Sequence, residues 1–156
     1  KSEIIKMNKE LTISAIKDGT VIDHIPSDAA FNVAKILDLS GVKGIISVAT
    51  NLPSKTMGKK GIIKVGGKSL TKDEADKIAL IAPNATVNII KDYGVKQKIK
   101  VEIPNIINRI IKCSNPNCIT NNEKISTKFY VLRKEPLRVK CHYCERNMEK
   151  EDITLL

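Results

Sequence analysis

Aromatic residues are scarce in this chain: there is no tryptophan, and only two phenylalanines and three tyrosines occur in 156 residues. Aliphatic side chains must therefore do nearly all the packing. Stacking on exposed bases, the usual route to single-stranded nucleic acid, has few platforms to use. No run of 18 apolar residues exists, which excludes a helical membrane span. A basic start followed by an apolar stretch is also missing, so nothing reads as a secretion signal. The expected location is cytoplasmic, although Lys1 in place of Met leaves the true start open. Catalytic material is equally thin. Only two histidines are present, and no cysteine occurs before residue 113. No G-x-S-x-G, Walker-type loop or G-x-G-x-x-G can be found. Met57-Gly-Lys-Lys60 resembles a phosphate loop only superficially.

What is abundant is positive charge. The formal net charge is +10, which suits an anionic partner such as nucleotide phosphates, nucleic acid or an acidic protein surface. The lysines are spread along the chain, so part of that charge simply solvates the surface.

The periodicities predict two regions. After a charged, aperiodic start, Leu11, Ile13 and Ala15 alternate with Thr12, Ser14 and Ile16 at strand spacing. Asp18-Gly19 breaks the pattern, and Thr20–Pro26 reads as an irregular apolar segment. Ser27 is placed to cap a helix over about 28–39, with Ala30, Val33, Ala34 and Leu37 on its apolar face. Gly44–Thr50 reads as a buried strand, Asn51–Gly58 as a loop and Ile62–Val65 as a short strand. Gly66-Gly67 reads as a hairpin turn. Thr71-x-x-Glu74 is a capping-box pattern opening a second helix, which Pro83 ends. Strands over 85–91 and 95–101 complete a β-α-β-β-α-β order with one extra strand. The expected class is α+β, with a ferredoxin-like antiparallel sheet carrying two helices. From Pro104 a short helix-like stretch containing Ile106, Ile107, Ile110 and Ile111 leads into a cysteine-rich tail. There, runs 125–132 and 137–140 read as strands joined by Arg133–Pro136. The expected domains are 1–102 and 103–156, the second a small all-β four-cysteine module.

The cysteines are spaced Cys113-x4-Cys118 and Cys141-x2-Cys144, with 22 residues between the pairs. Two knuckles separated by a hairpin-length insert fit a tetrahedral metal site. Two disulfides are the alternative, but nothing suggests an oxidising compartment. Zinc is the expected ion, since no other feature calls for redox chemistry. With four sulfurs bound, no position stays open for substrate, so the expected role is structural. Lys112, Arg138, Lys140 and Arg146 are close in sequence and could offset the charge of four thiolates. His142, inside the second knuckle, reads as a bystander.

Several strings together resemble one known family. Gly19-Thr-Val-Ile-Asp-His-Ile-Pro26, Asn51-Leu-Pro-Ser54, Met57-Gly-x-Lys60, Ala82-Pro-x-Ala-Thr-Val-Asn88 and Cys113-x-Asn-x-Asn-Cys-Ile119 occur in order. They are similar to the regulatory chain of aspartate carbamoyltransferase, from about residue 10 to the end. The resemblance implies a non-catalytic subunit in pyrimidine biosynthesis. Its N-terminal domain would bind ATP or CTP as allosteric effectors, and its zinc domain would dock on the catalytic chain. Regulatory-chain homodimers would link catalytic trimers.

By the same resemblance, Asp23 would accept from a ribose hydroxyl and His24 would lie near the phosphates. Lys64 would reach base and ribose, and Lys98 would hold phosphate. Lys96, Lys98 and Lys100 alternate along one strand, so all three are expected on one face. Without the resemblance, Lys64 could be a lysine snorkelling from a sheet edge, and the three alternating lysines a solvated edge that discourages pairing. Ile13, Ile16, Asn88, Ile90, Tyr93 and Val95 match positions lining the base pocket, Tyr93 mainly through its backbone. Ser14 stands where some relatives carry an acidic residue. Asn115, Asn117 and Glu145 would face the catalytic chain, while Asn115 and Asn117 would equally suit tight N–H···S turns.

Two other readings compete. A zinc-ribbon nucleic-acid-binding protein would explain charge and cysteines, but it lacks stacking aromatics and a base-reading motif. A small enzyme of the same fold lacks a nucleophile and base pair.

Overall fold

In a computed structural model, residues 15–156 are described. The predicted strand over 11–16 falls mainly outside them; Ala15 and Ile16, which are described, are not in a strand. The chain divides into two compact units between Glu102 and Ile103. Among the described residues, no helix is long and apolar enough to cross a membrane.

The first unit is one antiparallel sheet with two helices. Strand β1 (Gly19–Pro26) is followed by a 3-10 turn and helix α1 (Ala30–Ile36), then by β2 (Ile46–Ser54) and β3 (Gly58–Gly66). Helix α2 (Lys72–Ile81) leads to β4 (Thr86–Lys91) and β5 (Gly94–Lys100). The strand order is β2-β3-β1-β4-β5, with every neighbouring pair antiparallel.

The segment 20–26, expected to be irregular, is the central strand of this sheet. Its alternation is masked because residues pointing to either face are buried: Thr20, Val21 and Ile22 all are. The strand carries a register shift between Ile22 and Ile25, where His24 takes a positive φ of 58°. The helix face collects Ile22, Ile63, Val65 and Val87 against Ala30, Val33, Ile78 and Ala79. Burying each isoleucine contributes roughly 2 kcal/mol. Helix α1 can press close because Gly61 has no side chain; a Cβ there would lie 2.7 Å from the Ala30 Cβ.

Other expectations shift for local reasons. Helix α1 is shorter than the predicted 28–39, because Leu37 is already extended (ψ 132°). Ser27 makes no side-chain cap; its Oγ instead accepts from the Asn51 N–H. The predicted buried strand 44–50 is an edge strand running to Ser54, half exposed along its length. The first half of the expected loop 51–58 is thus β2, closed by a turn at Lys55–Met57. Gly66-Gly67 is not a hairpin: Gly67 (φ 72°) donates its N–H to the Asp18 carbonyl and turns the chain toward α2. The capping box forms as read, Thr71 Oγ1 accepting from the Glu74 N–H while the Glu74 carboxylate accepts from the Thr71 N–H.

The second unit contains β6 (Ile106–Asn108), β7 (Ile111–Lys112), the short helix α3 (Ile119–Asn122), β8 (Lys128–Arg133), β9 (Arg138–Cys141), β10 (Asn147–Glu149) and β11 (Thr154–Leu155). A four-stranded sheet runs β10-β9-β8-β6, and β11 pairs with β7. The helix-like stretch expected after Pro104 is two strands instead. Its isoleucines insert one by one: Ile107, Ile110 and Ile111 are buried while Ile106 is exposed. They join Phe129, Leu137, Val139 and Met148 in a small core.

Candidate functional sites: a four-cysteine centre and a basic sheet face

The cysteine centre is assembled by three local structures. Cys113 follows β7, Cys118 precedes α3, and the second pair spans the end of β9 and the turn after it. The four sulfurs lie within 4.8 Å of one another, with Cys113–Cys144 at 3.6 Å and Cys118–Cys141 at 3.8 Å. These separations are far beyond a disulfide bond. They match the edge of a tetrahedron with metal–sulfur bonds of about 2.3 Å, which is roughly 3.8 Å. The donor set therefore fits a divalent metal held by four thiolates.

Two side chains that the cysteine spacing did not flag hold the first knuckle. Asn121 Nδ2 donates to the carbonyls of Cys113 and Asn115, at 2.9 and 2.7 Å. Asn122 Nδ2 donates to those of Pro116 and Cys118. Asn115 makes a local turn, its Oδ1 accepting from the Asn117 N–H. Asn117 and Glu145 are exposed. Burial pushes the Cys113 thiol up to about 12, opposed in part by the Asn115 N–H. Burial likewise raises Cys141. Burial also works to raise Cys144, but the Arg146 N–H, the Asn115 amide and the neighbouring Cys113 and Cys141 thiols together outweigh it and bring this thiol down to about 7. Of the four basic residues expected to balance the sulfurs, Arg138 is turned to Glu149 at 3.1 Å. His142 is directed away as well, its Nδ1 lying 2.7 Å from the Tyr130 hydroxyl.

The second candidate is the sheet face opposite the helices. Cross-strand register sets Lys64, Val21, Asn88 and Lys98 side by side on β3, β1, β4 and β5. One row along, Asp23 is opposite Thr86, which is opposite Lys100. A third row holds Gly19, Ile90 and Val95. Six of the residues singled out in the sequence, Asp23, Lys64, Asn88, Ile90, Val95 and Lys98, thus share one face. Ile16 is buried, and Ile13 and Ser14 fall outside the described residues. Tyr93 sits in the tight β4–β5 turn at φ 66° and is 69% exposed as a residue, so it is not core. Its N–H is taken by the Lys17 carbonyl.

Three further residues belong to this face. Lys60 is 2.9 Å from the Asp23 carboxylate. Thr86 Oγ1 lies 2.6 Å from His24 Nδ1, and Lys100 flanks it on β5. The boundaries of β1 and β3 were not legible, which hid Lys60, whereas Thr86 and Lys100 lie on strands that the sequence did reveal and Lys100 was expected beside Lys98. Partial burial lowers the Lys64 ammonium, and the charge of Asp23 works in the opposite direction. Lys96 leaves the expected row of three lysines. It is the extra residue where the β4–β5 register shifts between Ile89 and Ile90.

The Thr86–His24 contact imitates a hydroxyl beside a base. Thr86 is only 3% exposed, and among the described residues no carboxylate hydrogen-bonds to the imidazole, the third element such a pair needs. What the face offers is cations, one carboxylate and one buried amide around apolar ground, which suits holding a polyanion with an apolar portion.

Comparison with known proteins adds an independent finding. Residues 11–102 match the family described as "Aspartate carbamoyltransferase regulatory chain, allosteric domain". Residues 105–154 match "Aspartate carbamoyltransferase regulatory chain, metal binding domain". The aspartate carbamoyltransferase regulatory chain of Pyrococcus abyssi is 57% identical over 146 residues, covering 92% of this chain and 96% of the relative. That of Pyrococcus furiosus is 58% identical over 146 residues with the same coverage. That of Bacteroides fragilis is 46% identical over 150 residues, 96% of this chain and 98% of the relative.

Proposed function

Because the chain belongs to the aspartate carbamoyltransferase regulatory-chain family and is thereby a non-catalytic subunit, we propose that its far sheet face binds ATP or CTP and its cysteine unit holds zinc. The observation that carries the nucleotide reading is the register that aligns Lys64, Asn88 and Lys98 on one row beside Asp23. In this reading Lys98 and His24 meet the phosphates, with Lys60 and Lys100 adding charge. Asp23 accepts from a ribose hydroxyl, Lys64 reaches base and ribose, and Asn88 offers its amide. Ile16, Ile90 and Val95 supply apolar contact to the base, with Ile13 and the Tyr93 backbone completing the pocket.

Zinc is favoured by four sulfurs at tetrahedral spacing with no fifth donor among the described residues. Its role is to fold residues 103–156 into a surface that docks on the catalytic chain, Asn115, Asn117 and Glu145 contributing. Residues 1–102 form the effector domain. The strand order β2-β3-β1-β4, with β5 added, supports the ferredoxin-like assignment. Pairing of two regulatory chains through β2 suits that edge, where Ile45 is 61% exposed and Ile46 also faces out, whereas lysines guard β5. Such dimers would link catalytic trimers in the cytoplasm. Effectors would then act by binding two states of the assembly unequally, with a coupling of about 1–3 kcal/mol.

The test is calorimetric titration of ATP and CTP into the purified chain and its Lys64→Ala and Lys98→Ala variants. The mixture with catalytic chain is assayed against aspartate. Each variant is expected to bind about 10-fold or more weakly, the loss of a charge-assisted hydrogen bond. Unchanged affinity in both variants rejects the site. Absence of any nucleotide effect on the assembled enzyme rejects the allosteric role.

A further inference from the structure

The helices leave part of their own side of the sheet uncovered. Between α2 and the β4–β5 ribbon lies a cavity of about 890 Å³, within the range of small-ligand pockets. Val87, Ile89 and Ile99 form its strand wall, and Leu70 closes it from the loop before α2. These strand residues alternate with Asn88, Ile90 and Lys98, so the cavity lies on the other side of the sheet from the nucleotide face.

Its rim is charged in a particular way. Lys68 and Lys72, on the helix side, are spent on Glu74 and Asp76. Asp18 accepts from the Asp92 N–H. Lys91 and Lys96, on the strand side, have no ion-pair partner among the described residues; Lys100, also at the rim, shares the facing of Lys98 and is counted with the nucleotide face. The remaining carboxylate of the lining, Glu102, is set beside Val101 at its end. The register shift in β5 is what delivers Lys96 to this rim rather than to the row with Lys98.

We propose that this cavity is a second ligand site, which takes a small amphipathic anion: an apolar body against Val87, Ile89 and Ile99, and one carboxylate or sulfonate head among the strand-side lysines. Two cations without partners above aliphatic walls favour that chemistry over a neutral apolar guest, which would leave them unused, and over a bare polyanion, which would leave the walls wet.

The chain has no tryptophan, so anilinonaphthalene sulfonate, itself an amphipathic anion, can be followed by fluorescence without protein emission interfering. The full metal-loaded chain is titrated with it in the presence of saturating CTP. Saturable binding near one probe per chain is expected, displaced by decanoate but not by inorganic phosphate at equal ionic strength. Ile99→Asp is expected to weaken it about 10-fold or more, by putting a carboxylate on the apolar wall. Lys96→Glu is expected to weaken it about threefold or more through the reversed rim charge. Both positions are exposed on an edge strand, and unchanged circular dichroism verifies each variant's fold. No saturable binding, binding indifferent to both substitutions, or displacement by phosphate as readily as by decanoate each overturns the proposal.

Discussion

Metal binding to the cysteine unit is predicted to be steeply pH-dependent, and the slope follows from the thiols. A metal binds thiolates, so every thiol still protonated must lose its proton on binding. In the metal-free fold, burial holds Cys113 up at about 12 and raises Cys141, so both are protonated at neutral pH. Burial also acts on Cys144, but the Arg146 N–H, the Asn115 amide and the Cys113 and Cys141 thiols bring it down to about 7, so it competes less with the metal. The sign is fixed: groups with raised pKa favour the protonated, metal-free state, and acid strengthens that competition. Cys113 and Cys141 alone release two protons at pH 7, so affinity falls at least about 100-fold per pH unit of acidification. Competition with a zinc-indicator dye between roughly pH 6 and 8 gives the slope, and proton uptake by a weak buffer during titration counts the protons directly. A slope near one, or release of a single proton, would refute a buried tetrathiol site.

Glu74→Ala should destabilise the first unit by about 1–3 kcal/mol, read by denaturant melting. It strips the acceptor from the Thr71 N–H, the Asp38 N–H and the Lys68 ammonium. Gly61→Val should cost about 1–3 kcal/mol of overpacking against Ala30, visible as a lowered midpoint with effector titration restored at low temperature. Phe129→Ala, emptying the largest fully buried side chain, should cost about 3–5 kcal/mol, measured on the metal-loaded protein. CMP should bind about 10-fold or more weakly than CTP, because it leaves lysines of the basic face unengaged; equal affinities would contradict the assignment of Lys98 to phosphate.

How far the sequence could be read depended on whether one signal acted alone. The capping box at Thr71 and Glu74 is local chemistry, and it forms as read. The cysteine spacing is likewise self-contained, and the four sulfurs meet. Strand β1 was illegible because period-two alternation disappears when Thr20, Val21 and Ile22 are all buried. Asp23 and His24 further disguise it, being polar residues placed for the far face at a register shift. The isoleucines after Pro104 carry helical spacing by accident: with β6 and β7 only three and two residues long, neither strand period has room to show. Lys96 left its row because a single inserted residue in β5 inverts the facing of what precedes it, a change no composition betrays.

The basic face also explains why so much charge can coexist with a folded sheet. Four lysines, Lys60, Lys64, Lys98 and Lys100, stand near one carboxylate, Asp23. Only Lys60 is paired with it directly, at 2.9 Å. Like charges gathered on one face therefore oppose folding unless solvent or a counter-charge relieves them. Desolvation of Lys64 makes that relief scarcer on β3 than on the exposed β5 edge. A ligand carrying several negative charges relieves all four cations at once, whereas a monoanion reaches one or two. If the face binds nucleotide as proposed, the arrangement would favour polyphosphate by what the empty face lacks as much as by what the bound one gains. In the proposed complex Asp23, already held by Lys60, would accept a neutral hydroxyl without repelling the phosphates nearby.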